Sequence, residues 1–289
     1  MFNLKSKAKS DLLLKFTIYF GTICGAAVIF SILILLIFLG IPFFKESGLS
    51  IFFDTWNPGK GKYGILPMIY TTFIIAVPAV FAGFFLSLGF ACFAASTGHR
   101  FLKKPSIALI RTASAIPTIV YAFIGVFLIV PFIRNIGATG SGYSILSASL
   151  MLALLISPTM IFFFYDSIIK SLKSLKTGGL VLGATKTETL LYLVIPNAKN
   201  GIYSGIFLGM GRAIGDTMIS LMLAGNSISF PLSPFESGRT LTAHIGLVMA
   251  ADYDSPEFGS IFACGILLYL ITAVLSILSK LIYKKTGDY

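Results

Sequence analysis

Five windows of the sequence, Phe16 to Phe44, Tyr63 to Gly98, Thr112 to Ile133, Ile136 to Tyr165 and Phe258 to Ser279, contain no charged residue. A helix of about 20 apolar residues crosses the hydrocarbon core of a bilayer, and a spanning segment must satisfy its backbone hydrogen bonds internally. The windows therefore predict membrane helices. Composition agrees, because only 11% of the 289 residues are charged and 56% are hydrophobic, against about 25% and roughly 45–50% in an ordinary soluble domain. The first window is too long for a signal-peptide core and no small-residue cleavage pattern follows it, so it reads as a retained helix.

A sixth apolar stretch, Gly201 to Gly225, is long enough to cross but carries Arg212 and Asp216. At about 1.5 Å per residue from Gly201, Arg212 lies roughly 16 Å along the helix, near the middle of a ~30 Å core. An arginine there is costly unless it faces protein, water or a counter-charge. Asp216 is one helical turn on, on the same face, so the two can pair. One reading is a buried ion pair that holds helices in register. The other is an anion pathway, in which the fixed charge and planar fork of Arg212 engage an oxyanion such as phosphate or sulfate. Asp216, beside Thr217, would then keep the anion from binding too tightly.

Loop charges set the orientation. With loops alternating between the two sides, the N-terminus, residues 99–106, residues 170–200 and the C-terminus share one side. That side holds fifteen of the 22 Lys and Arg. The opposite side has Lys45, Lys60, Lys62, Arg134 and Arg239, mixed with acidic residues. The positive-inside rule then predicts six transmembrane helices with both termini cytoplasmic, and the net charge of +11 needs no nucleic acid to explain it. Outside, residues 51–64 combine aromatics with Pro58 and three glycines, which fits an interfacial belt and a tight turn. No repeat or low-complexity tract suggests a second domain, so residues 1–289 read as one transmembrane domain with its core at 63–283.

Catalytic and metal-binding patterns are missing from the sequence. Cys24, Cys92 and Cys264 are far apart within apolar windows. His99 and His244 fall in connections on opposite sides of the membrane, which leaves no zinc cluster and no histidine-based triad. The stretch from Gly137 to Gly142 lacks the lysine of a phosphate-binding loop and reads as a turn. The chain is thus not an enzyme, needs no cofactor, and can use ATP only through a partner.

Two further patterns concern packing. Gly201, Gly205 and Gly209 recur every four residues, as do Gly211 and Gly215, a spacing that lets helices approach closely. Pro67, Pro78, Pro117 and Pro158 lie in apolar spans, where proline can kink or interrupt a helix. The connection 170–200 is long for a helix linker and mixes lysines with apolar residues. It fits two short amphipathic pieces broken near Gly183 and stopped at Pro196, or a helix lying on the lipid surface.

Thr177-Gly178-Gly179 with Gly183-Ala184, followed by Leu193-Val194-Ile195-Pro196, resembles the EAA loop of ABC importer permeases, with Thr177 to Gly179 replacing its Glu-Ala-Ala opening. The resemblance implies the all-α, six-helix fold of a type I ABC importer permease and a cytoplasmic coupling loop at 170–200 that docks on an ATPase. Trp56-Asn57-Pro58 with Tyr63 to Thr71, Ala115-Ile116-Pro117-Thr118-Ile119-Val120-Tyr121, and Gly209 to Thr217 leading to Ala224-Gly225-Asn226 resemble the PstC family of phosphate-importer permeases. Asp216 stands where that family commonly has Glu, and Arg111 where an acidic residue is common, near the end of a helix from which its long side chain can snorkel.

The implied role is a bacterial inner-membrane permease subunit. It would carry phosphate past Arg212, Asp216 and Thr217, in the lipid bilayer, beside a second PstA-like permease, two copies of an ATPase and an extracytoplasmic phosphate-binding protein. A permease for another oxyanion (phosphonate, sulfate or molybdate) and a stand-alone secondary anion transporter are the alternatives.

Overall fold

The first charge-free window, residues 16–44, lies in helix α1 (Leu4–Ser47); the window is apolar on all sides and nearly everywhere exposed, as a helix bathed in lipid would be. The computed structural model describes residues 4–96, 100–137, 140–252 and 255–284. His99, part of the glycine-rich stretch (138–139) and Lys285 lie outside the described residues. After α1 a 3-10 turn (Gly48–Phe52) leads to a hairpin of β1 (Trp56–Asn57) on β2 (Lys62–Tyr63), with Trp56 opposite Tyr63. Trp56 is buried between the rings of Tyr63 and His244, 5.8 Å and 4.5 Å away. The expected tight turn is present, but the expected interfacial belt does not include this tryptophan, which packs inward, and the aromatic left outside is Phe53.

Helix α2 (Leu66–Ser96) is followed by α3 (Arg100–Ala115), α4 (Thr118–Ile124), a π-helical segment (Gly125–Ile129) and α5 (Val130–Gly137). Helix α6 (Ile145–Val181) comes next, 37 residues long. It runs beside α2 in the same direction, and buried hydroxyls join the two: Ser149 donates to the Ile75 carbonyl and Ser87 to the Ser157 carbonyl. Among the prolines, Pro78 and Pro158 sit within unbroken helices, Pro67 opens α2, and Pro117 marks a break. The break delays the third span, which begins at Thr118 rather than Thr112.

The rest of the chain is α7 (Lys186–Glu188), a second π-helical segment (Thr189–Val194), α8 (Ile195–Asn197), α9 (Lys199–Gly215), α10 (Met218–Leu223), α11 (Leu241–Val248) and α12 (Pro256–Lys284). Among the described residues five helices are long and apolar enough to cross a membrane: Leu14–Lys45, Leu66–Ser96, Thr118–Gly137, Ile145–Gly179 and Pro256–Ile282. The expected sixth is not one helix. Helix α9 ends at Gly215, Asp216 is extended with ψ 125°, and α10 starts at Met218. Backbone broken at membrane depth is stable only where protein or a water-filled cavity satisfies it, and Arg212 and Asp216 flank this break. His244, expected in a connection, is buried within α11, its Nε2 2.9 Å from the Ser260 hydroxyl.

Candidate functional site

Glycines set Arg212 in place. A Cβ at Gly201 would overlap the Ser167 hydroxyl, one at Gly205 would come within 2.8 Å of the Phe164 ring, and one at Gly209 within 2.9 Å of Met160. Helix α9 therefore lies with its backbone directly on α6, antiparallel to it, as the four-residue glycine spacing predicts. The neighbour it anticipates is α6 of this same chain. Gly211 and Gly215 face open space instead. Three residues past Gly209, the half-buried Arg212 donates from Nη1 to the hydroxyl of Thr159 on α6.

Asp216 is buried. Its Oδ2 accepts the Ile219 N–H at 2.8 Å, and its carbonyl accepts the Thr242 hydroxyl at 2.9 Å. The carboxylate thus caps an otherwise orphaned donor at the start of α10, which gives the chain a local reason to leave the helix here. The expected Arg212–Asp216 ion pair is not formed: the one ion pair among the described residues joins Lys170 to Asp166 at 2.7 Å. Same-face spacing needs a continuous helix, and Asp216 lies beyond the end of α9. The two charges remain within electrostatic reach of each other, each held by neutral partners.

Arg212, Gly215, Asp216, Thr217, Met218 and Thr118 line an open cleft of about 420 Å3. Thr118 comes from the first turn after the break at Pro117, so interruptions of two helices meet there. The sequence-predicted Arg212, Asp216 and Thr217 are brought together. Sequence reasoning missed the roles of Thr118, Thr159 and Thr242. Thr118 and Thr159 each directly follow a proline of an apolar span, and that was the available signal.

At the other end of α9 the predicted coupling residues form a second cluster. Thr177, Gly178 and Gly179 belong to the last turns of α6. Gly183, at φ +76°, ends it in the left-handed conformation that glycine adopts without strain, and the Ala184 N–H returns to the Gly179 carbonyl at 3.0 Å. Thr185 then starts α7 with a capping box: its hydroxyl accepts the Glu188 N–H at 3.2 Å, while Glu188 Oε2 accepts the Thr185 N–H at 2.8 Å. The backbone and hydroxyl donors of Thr185 hold the Glu188 carboxyl below its usual range.

Leu190 and Val194 are buried in the same apolar cluster as Phe164 and Ile168 of α6, so the segment is docked on the bundle rather than spread on lipid. Pro196 does not stop it: Ile195 and Pro196 open α8, and the chain runs through Ala198 into α9. Val181, Leu182, Leu191 and Tyr192 are left exposed, at 81%, 82%, 51% and 76%.

Residues 87–288 match the family described as binding-protein-dependent transport system inner membrane component. A probable ABC transporter permease protein of Bacillus subtilis, YqgH, is 32% identical over 90% of this chain and 87% of its own length. The phosphate transport system permease proteins PstC of Haemophilus influenzae and Xylella fastidiosa are 30% and 28% identical, over 88% and 91% of this chain and 87% and 89% of theirs. A solved structure of the MetNI methionine ABC transporter in inward facing conformations shares the fold, with a TM-score of 0.58 at 17% identity over 75% of this chain and 95% of that one. The chain belongs to the binding-protein-dependent transport system inner membrane components, as a PstC-like ABC permease.

Proposed function

We propose that this permease carries phosphate through the cleft around Arg212, powered by a cytoplasmic ATPase that engages residues 177–196. The observation that carries this reading is an arginine in the sixth apolar stretch whose guanidinium, among the described residues, is hydrogen-bonded only to the Thr159 hydroxyl and lines an open cleft. A guanidinium without a bonded carboxylate keeps donors for an oxyanion. Asp216 and Thr217 complete the wall, and the nearby negative charge of Asp216 keeps the bound anion weak enough to leave.

Coupling follows from α9. Its 17 residues make a rod of about 25 Å that starts at the end of the 177–196 loop and finishes beside Arg212. Movement of the loop on an ATPase is thereby delivered to the cleft. The apolar Val181, Leu182, Leu191 and Tyr192 supply the contact surface for that subunit. In this reading residues 1–289 form one transmembrane domain with its core at 63–283, in the bacterial inner membrane with both termini cytoplasmic. A PstA-like second permease completes the pathway, two ATPase subunits drive it, and an extracytoplasmic phosphate-binding protein loads it.

The test is ATP-driven uptake of labelled phosphate by proteoliposomes that contain the whole complex, with sulfate and phosphonate as competitors. Phosphate uptake that neither competitor suppresses supports the assignment. Uptake of sulfate or phosphonate in its place would move the substrate to another oxyanion, and uptake without the ATPase would refute the coupling.

A further inference from the structure

Helix α3 carries four of the cations in the chain, Arg100, Lys103, Lys104 and Arg111, and the transport reading uses none of them. Its depth in the bundle follows from Ile110, which is buried in a small gap among Phe90 and Ala94 of α2 and Ile161, Phe162 and Tyr165 of α6. Those α6 residues lie about 24–30 Å from its Ile145 end, at the far boundary of a ~30 Å hydrocarbon core. Helix α3 is thus held at headgroup depth, at the same end of the bundle as the 177–196 loop.

Its two flanks differ. At about 100° per residue, Lys104 and Arg111 fall along one edge and Leu109 nearly opposite, with Ile110 between them facing the bundle. Lys104 and Arg111 are exposed and, among the described residues, neither side chain has a hydrogen bond or ion pair. Leu109 is 66% exposed. No Asp or Glu occurs between Asp54 and Asp166. Asp166 is ion-paired to Lys170, and Glu188 closes its capping box with Thr185. Among the described residues no carboxylate pairs with either cation.

We propose that α3 is an interfacial helix whose Lys104 and Arg111 edge binds the phosphate headgroups of anionic phospholipid while Leu109 sits among the acyl chains. Apolar and basic flanks on one helix at this depth match the boundary between acyl chains and acidic headgroups. An acidic protein surface would satisfy the cations but leave Leu109 in water.

Native mass spectrometry of the full chain in detergent, titrated with dioleoyl phosphatidylglycerol or dioleoyl phosphatidylcholine, tests this. The wild type retains phosphatidylglycerol in preference. The double variant Lys104→Gln/Arg111→Gln loses about 25-fold of that preference, at about fivefold per surface cation. The charge-conserving Lys104→Arg/Arg111→Lys keeps it, which separates loss of charge from loss of fold. Lys60→Gln/Lys62→Gln in the hairpin at the other end leaves it unchanged. Equal retention of the two lipids by the wild type, an undiminished preference in the glutamine variant, or displacement of phosphatidylglycerol by millimolar inorganic phosphate would each overturn the proposal. So would loss of the lipid preference with capture of an acidic soluble protein in its place.

Discussion

For individual residues, Arg212 and Asp216 form no ion pair among the described residues, and their neutral partners define what each can do. Thr159 orients the guanidinium without neutralising it. Thr159→Val, which keeps the volume and removes the acceptor, therefore leaves the chain folded and lowers phosphate uptake severalfold; unchanged uptake would show that Arg212 needs no anchor. Asp216 has two separable properties, a capping oxygen and a charge. Asp216→Asn keeps a capping acceptor, so its thermal unfolding in detergent stays near the wild type, whereas Asp216→Ala loses about 1 kcal/mol, the usual worth of an N-terminal cap. Equal destabilisation by Asn and Ala would contradict the capping role. Arg212 was visible in the sequence because a charge inside an apolar window has few explanations. Thr159 and Thr118 were not, since a lone threonine after proline in a span says nothing about what it faces until helices are placed.

Among elements, the decisive contact is α9 on α6. Gly205→Leu drives a side chain into Phe163 and Phe164 and is expected to cost about 1–3 kcal/mol by overpacking, and to abolish uptake by displacing Arg212. Gly211→Ala, on the face with open space around it, should transport like the wild type; comparing yields and uptake of the two variants checks the assignment of faces. The glycine period revealed that close packing existed, while which helix lay opposite depended on the tertiary fold. The same dependence explains the sixth span. Apolar composition marked residues 201–225 as a crossing, but the break at Asp216 is made by Ile219 and Thr242 supplying hydrogen bonds that composition does not register.

In the 177–196 loop, Gly183 and the Thr185–Glu188 box are local signals and mark where α6 ends. The docking of Leu190 and Val194 on α6 is a long-range contact and was legible only as amphipathicity. Because hydrogen bonding lowers the Glu188 pKa on folding, the box contributes fully above the ordinary glutamate range and is lost as the pH falls through the lowered value. Slowed amide exchange at Glu188 near neutrality that disappears in acid, and is absent in Thr185→Ala, is the expected observation. Protection that survives in the variant would mean the box is not what holds this turn.

For the whole molecule, five long apolar helices accompany one broken one, the cleft opens where that break meets the start of α4, and a single helix connects the cleft to an exposed apolar loop. The spans were readable because a bilayer leaves few solutions for long charge-free segments, and Pro117 shifted only where the third begins. The connection between cleft and loop was not readable, because it rests on α9 lying against α6 along its length. In the proposed function the anion passes Arg212 and ATP acts on the cleft from a distance through α9. The most direct measurement compares ATP-driven phosphate uptake by proteoliposomes holding the complex with wild-type chain or Arg212→Ala, alongside co-purification of the ATPase. Arg212→Ala is expected to retain the ATPase at wild-type stoichiometry and to take up no phosphate above background, whereas wild-type uptake by that variant would show that the anion does not depend on Arg212.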